Sequence, residues 1–182
     1  MTNICHTCER PYEVSEATSE HPYHYTESGL TNWWLVGIPV YSCANCGIES
    51  AEIPDMDGLH DLISKNIILT PFSMTGQELT FLRKETRLRL KEFAERLGVD
   101  PKTVKNWESS EKLSKAVDIT VRILVASCVW KGNERLEVLA QIADLVQFGE
   151  GEFLDQLEQD IAELTKANVE AGIPNQQWGI AA

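Results

Sequence analysis

The chain has 182 residues, 43% of them hydrophobic, with 28 acidic against 16 basic side chains and a net charge of −12. That length admits one domain or two small ones, and the composition, free of low-complexity tracts and internal repeats, excludes a disordered or fibrous chain. No apolar run reaches the length of a membrane-crossing helix, and Met1 to Glu9 lacks the basic-then-apolar layout of a signal peptide, so the expectation is a cytoplasmic protein with no membrane partner.

The charge is unevenly spread. Residues 1–74 hold 2 basic and 10 acidic side chains, residues 75–130 hold 11 and 8, and residues 131–182 hold 3 and 10. Only the middle segment is net positive, so only it can approach a phosphate backbone without strong repulsion.

In chain order the first signal is Cys5-His6-Thr7-Cys8, answered after 34 intervening residues by Cys43-Ala44-Asn45-Cys46-Gly47. Two C-x-x-C turns present four soft thiolates, enough to fill a tetrahedral Zn²⁺ shell and leave no position open for a substrate. A redox dithiol would need only one pair, in a strand-to-helix setting that neither pair has. A catalytic zinc would need an open position. Glu9, where a histidine would have to follow Cys8, removes a haem-attachment reading. In a reducing compartment the pairs favour metal over disulfides. The expectation is one structural Zn²⁺ per chain on Cys5, Cys8, Cys43 and Cys46, with His6, His21, His24 and His60 outside the ligand set.

Between the pairs, aromatic and β-branched residues predict strands at His21–Thr26, Trp33–Val36 and Val40–Ser42, punctuated by Ser28-Gly29 and Gly37-Ile38-Pro39. Gly47 suits a tight knuckle in which backbone N–H groups point at sulfur and φ is positive. Trp33 and Trp34, being adjacent on a strand, point to opposite faces; both can close a thin core, or one can mark a partner surface. So small a module buries little apolar surface, and metal would supply part of its folding free energy. Gly58 to Ile68 reads as a short amphipathic helix ending a zinc-binding module of residues 1–68, and residues 69–74 as a linker or hinge.

From Thr75 the pattern becomes helical. Thr75 and Glu78 form a capping box, and a second helix through Leu90–Leu97 stops at Gly98. Asp100-Pro101 is the preferred opening of a third. Helix, glycine-containing turn, helix is the layout of a helix-turn-helix DNA reader. Ala94 is small where the two helices should cross, and Leu97, Val99, Val104 and Trp107 are apolar where the third helix must pack back. Lys102, Thr103, Lys105 and Asn106 occupy its remaining face, where side chains can reach bases or phosphates, or simply form a solvated surface. Glu108 is placed to pair with an arginine such as Arg83. Val117 to Trp130 is apolar around most of a helix, so a second subunit or the carboxy-terminal tail must cover what the reader core does not. Cys128 reads as a small buried hydrophobe.

Leu136, Leu139, Ile142 and Val146 mark a further helix, broken by Gly149-Glu150-Gly151. Leu154, Leu157, Ile161 and Leu164 mark another, with Asp155, Glu158, Asp160 and Glu163 making its outer face acidic. The fold expected is α+β in two domains: a small zinc-bound β-rich amino-terminal module, then an all-α helix-turn-helix domain (75–130) with a helical, acidic carboxy-terminal extension (131–182). No Ser/His/Asp set, phosphate loop or open metal site is present, so neither catalysis nor a small-molecule substrate is expected.

The run Phe93-Ala94-x-x-Leu97-Gly98-Val99-x-Pro101-x-Thr103-Val104-x-x-Trp107-Glu108 resembles the Xre/Cro-type helix-turn-helix family. That resemblance implies base contacts from Lys102, Thr103 and Asn106 and a phosphate contact from Lys105. Arg89-Leu90 departs from it, since the family often has Ser or Thr followed by Gln there to anchor the DNA backbone; Ser110 stands where Gly is usual. The order of modules, with Val36-Gly37-Ile38-Pro39-Val40-Tyr41 before the second cysteine pair, resembles the MqsA (YgiT-type) antitoxins over roughly residues 3–130. The resemblance implies a homodimer that binds operator DNA, represses its own operon, and neutralises a cognate toxin through the zinc module. The other reading is a stand-alone zinc-containing regulator whose module serves another protein contact or redox sensing.

Overall fold

The computed structural model describes residues 4–148, and within them the chain divides after Met56 into two compact units. The first unit contains β1 (Glu13–Glu16), β2 (Tyr23–His24), β3 (Trp34–Leu35), β4 (Pro39–Ser42) and β5 (Glu49–Ala51). β4 is the middle strand of an antiparallel sheet: Ser42 pairs with Glu13 of β1 on one side and with Glu49 of β5 on the other. β2 and β3 form a separate antiparallel pair, Tyr23 opposite Leu35. Tyr25, Leu30, Trp33, Leu35, Ile38 and Val40 are buried and make the core. Trp33 is one of its walls, whereas Trp34 is half-buried and stacks on His24 with ring centroids 4.1 Å apart. Three of the five strands follow the predicted segments. β1 and β5 escape the sequence pattern because all of β1 is exposed and β5 half-buries only Ala51, so neither carries an apolar alternation.

The second unit is helical: α1 (Met56–Leu69, entered from the first unit's last residue), α2 (Gly76–Glu85), α3 (Leu90–Leu97), α4 (Pro101–Glu108), α5 (Lys115–Val129) and α6 (Gly132–Phe148). The described residues are thus α+β, with a small β-rich amino-terminal part followed by six helices. The local signals act as their chemistry dictates. Thr75 Oγ1 accepts from the Glu78 backbone while Glu78 takes the Thr75 N–H at 2.7 Å. α3 ends on Gly98 at φ 68°, and the Asp100 carboxylate accepts from the Lys102 N–H at 2.7 Å to start α4. Phe93, Ala94 and Val104 are fully buried. α2 and α4 approach closely at Gly76, where a Cβ would lie 2.5 Å from the Glu108 carbonyl oxygen. Arg83 Nε donates to Glu108 Oε1 at 2.6 Å, the pairing expected from the sequence.

α5 packs against α2, α3 and α6, so part of the cover expected from a second subunit or the carboxy-terminal tail comes from α6, the first part of that tail. Among the α6 residues whose burial is described, Val138 and Ile142 are buried; Leu136 and Val146 stay 61% and 45% exposed, so the stripe read as Leu136-Leu139-Ile142-Val146 is turned away at both ends. Cys128 on α5 is half-buried instead of buried, and Arg96 Nη1 donates to its sulfur at 3.2 Å.

The helix that the sequence attached to the amino-terminal module belongs to the second unit. α1 buries Leu59, Ile63, Ile67 and Ile68, and Asp61 accepts from Trp130 Nε1 at 2.6 Å. Lys65 bridges Asp61 (2.9 Å) and Glu134 (2.6 Å), and His60 Nδ1 lies 2.9 Å from Glu85 Oε1. Nor are residues 69–74 a free linker. The buried Arg122 guanidinium donates to the carbonyls of Ile67, Ile68, Thr70 and Phe72, and is held by Asp118 at 2.6 Å. Asp118 also accepts from the Met74 N–H at 3.2 Å. A cation therefore satisfies two open carbonyls at the end of α1 and fixes the path into α2. The predicted break at Gly149-Glu150-Gly151 and the Leu154–Leu164 stripe lie outside the described residues. Among the described residues no helix is long and apolar enough to cross a membrane.

Candidate metal centre and candidate nucleic-acid interface

The two cysteine pairs are carried by two turns of the same build. In the first, the Cys5 N–H donates to Arg10 O at 2.7 Å and the Glu9 N–H to Cys5 O at 2.9 Å. In the second, the Cys43 N–H donates to Ile48 O at 2.9 Å and the Gly47 N–H to Cys43 O at 2.8 Å. The residue after each second cysteine is left-handed: Glu9 at φ 57° and Gly47 at φ 71°. The second turn joins β4 to β5, and the first is closed by the Ile4–Pro11 bridge ahead of β1.

This framework gathers Cys5, Cys8, Cys43 and Cys46, whose sulfurs all lie within 4.8 Å of one another. Cys5 Sγ is 3.6 Å from Cys46 Sγ, and Cys8 Sγ is 3.4 Å from Cys43 and 3.7 Å from Cys46. Four thiolates at about 2.3 Å from a tetrahedral ion would stand about 3.8 Å apart, so the donor set fits a metal ion. Among the described residues, the histidines are not part of such a group.

Backbone donors favour the anionic sulfurs. The Thr7 N–H, aided by the Cys8 N–H and the Tyr12 hydroxyl and opposed by burial, lowers Cys5 to about 6. The Cys46 N–H, with that of Asn45, lowers Cys43 against its burial. At Cys46 the Ile48 N–H favours the thiolate, but desolvation and the hydrogen bonds to Cys43, Cys5 and Cys8 outweigh it and push this thiol up to about 12. Four sulfurs this close cannot all be anionic without a cation among them, which is what a metal ion supplies. Sequence reading missed Tyr12. Its hydroxyl bonds Cys5 and is raised chiefly by that bond, and its ring meets Tyr41 edge-on at 6.0 Å. A tyrosine four residues beyond Cys8 was the available signal.

In the second unit, α4 buries Val104 and turns Lys102, Lys105 and Asn106 outward; Thr103 is half-buried at the seam. No carboxylate pairs with Lys102 or Lys105 among the described residues. The four residues read from the sequence thus share one short helix, three of them accessible to a ligand. Comparison with protein-family models, curated proteins and solved structures returned no match for the chain.

Proposed function

We propose that this chain is a zinc-containing, sequence-specific DNA-binding repressor, the antitoxin of a toxin–antitoxin pair. The observation that carries the reading is α4: a capped helix anchored by Val104 whose outward face offers Lys102, Lys105 and Asn106. Asn can address adenine through two hydrogen bonds in the major groove, and Lys can take guanine or phosphate. α3, the turn at Gly98 and α4 follow one another in the order of a helix-turn-helix reader, with α4 packed on α2 and α3. Two such chains as a homodimer would place two copies of α4 about 34 Å apart, one DNA turn, on an operator palindrome.

The cysteine tetrad serves structure in this reading. Four thiolates suit Zn²⁺, which is redox-inert and tetrahedral, and they leave no site for water or substrate. The metal would fold a small acidic module, and that module would hold the toxin. The test is copurification with the product of the adjacent gene, followed by binding of the complex to the shared promoter. The reading expects a retained partner, one zinc per chain and promoter binding. Promoter binding without a retained partner would instead favour a stand-alone regulator, and failure to bind DNA would exclude both.

A further inference from the structure

Two helix faces of the second unit meet without closing on each other. On α5, Lys115, Asp118, Ile119 and Arg122 recur at the spacing of one helix face, and on α6 so do Ile142, Leu145 and Val146. Together with the connection from α1 to α2 they line an open cavity of about 150 Å³. Its seat is apolar: Ile142 is buried, Ile119 and Leu145 are half-buried, and the exposed Val146 carries the apolar wall to the surface. An apolar cavity of roughly this volume holds a molecule the size of a single ring or a short branched chain.

The polar groups around this seat differ in what they have left to offer. Asp118 and Arg122 neutralise each other at 2.6 Å, and the remaining Arg122 donors are taken by backbone carbonyls. Thr70 Oγ1 donates to Asn66 O at 2.7 Å. Lys115 and Ser73 are both exposed at the cavity, and among the described residues neither side chain has a hydrogen-bond or ion-pair partner. Lys115 is also the first residue of α5, where the partial positive charge of a helix start disfavours a cation. The folding of α5 alone would favour an acid there.

We propose that this cavity binds a small apolar monocarboxylate, its body against Ile119, Ile142, Leu145 and Val146 and its carboxylate on the Lys115 ammonium and the Ser73 hydroxyl. A charged hydrogen bond of that kind is stronger than a neutral one, so a neutral molecule of the same shape binds less well. A dianion would bring a second charge against an apolar wall, where burial without a partner is costly. The cavity shares no lining residue with α4 or with the cysteine tetrad, so the site stands independently of the DNA-binding reading. An occupant touches the α1–α2 connection, α5 and α6 at once, and stabilises the second unit by mass action.

The experiment titrates the full chain with three probes, followed by ligand-observed NMR. Isovalerate has both features, acetate keeps the charge without the body, and isoamyl alcohol keeps the body without the charge. Isovalerate should bind with a dissociation constant on the order of 0.1–1 mM and raise the thermal midpoint, and the other two should bind about tenfold more weakly. Lys115→Gln should bring isovalerate down to the level of the alcohol without lowering the midpoint of the ligand-free chain. Val146→Trp adds bulk at an exposed position, and should block isovalerate while the helical circular dichroism is kept. Isovalerate binding no tighter than acetate or the alcohol would overturn the site. So would an unchanged isovalerate affinity in Lys115→Gln, or in a folded Val146→Trp.

Discussion

Glu9 and Gly47 hold equivalent places in two turns of one design, yet only one of them is glycine. Each follows a C-x-x-C pair, each donates its N–H back to the first cysteine's carbonyl, and each is left-handed. For an L side chain that conformation costs about 1–2 kcal/mol, part of which glycine would return through its larger unfolded-state entropy. Glu9→Gly is therefore expected to stabilise the first unit by up to about 1 kcal/mol, read as a rise in urea midpoint with metal bound. Gly47→Ala should lower it by a similar amount, although the added Cβ would meet nothing within 4 Å. Both cysteine pairs and Gly47 could be found from spacing. Glu9 could not, because nothing in a glutamate announces a positive φ.

Among the elements, α5 ties together what the sequence kept apart. Its Arg122 reaches the carbonyls of Ile67, Ile68, Thr70 and Phe72, and its Asp118 the Met74 N–H. Removing Arg122 would leave Asp118 buried beside open carbonyls, so Arg122→Ala should destabilise the second unit by roughly 3–5 kcal/mol. Circular dichroism with denaturant would measure this; a loss below about 1 kcal/mol would mean the cation is dispensable. The helices from α2 to α4 were legible because their caps are local: Thr75 with Glu78, Gly98, and Asp100 with Pro101. The place of α1 was not, since it depends on Arg122 and Trp130 from more than 50 residues away. Similarly, Leu136 fits a helical period but remains 61% exposed, because period alone does not say which neighbour covers which side.

For the whole molecule, two chemistries share one chain: a sulfur tetrad that fits a metal, and a helical unit whose free cations face outward. The tetrad is sensitive to pH in a definite direction. Between about 6, where Cys5 ionises, and about 12, where Cys46 does, Cys46 keeps its proton in the metal-free state, so metal binding must release at least one. Below about 6 Cys5 adds one more to those released. Affinity should therefore rise with pH through neutrality and fall more steeply under acid, as read by competition with a chromophoric chelator. The reading of α4 as the DNA-contacting element is tested most directly by measuring affinity for the chain's own upstream duplex and for a shuffled one, in wild type and in Lys102→Ala/Asn106→Ala, with zinc content assayed in parallel. The wild type is expected to prefer its upstream duplex, and the double variant to lose this preference while its zinc stays at one per chain. An undiminished preference in the double variant would contradict it.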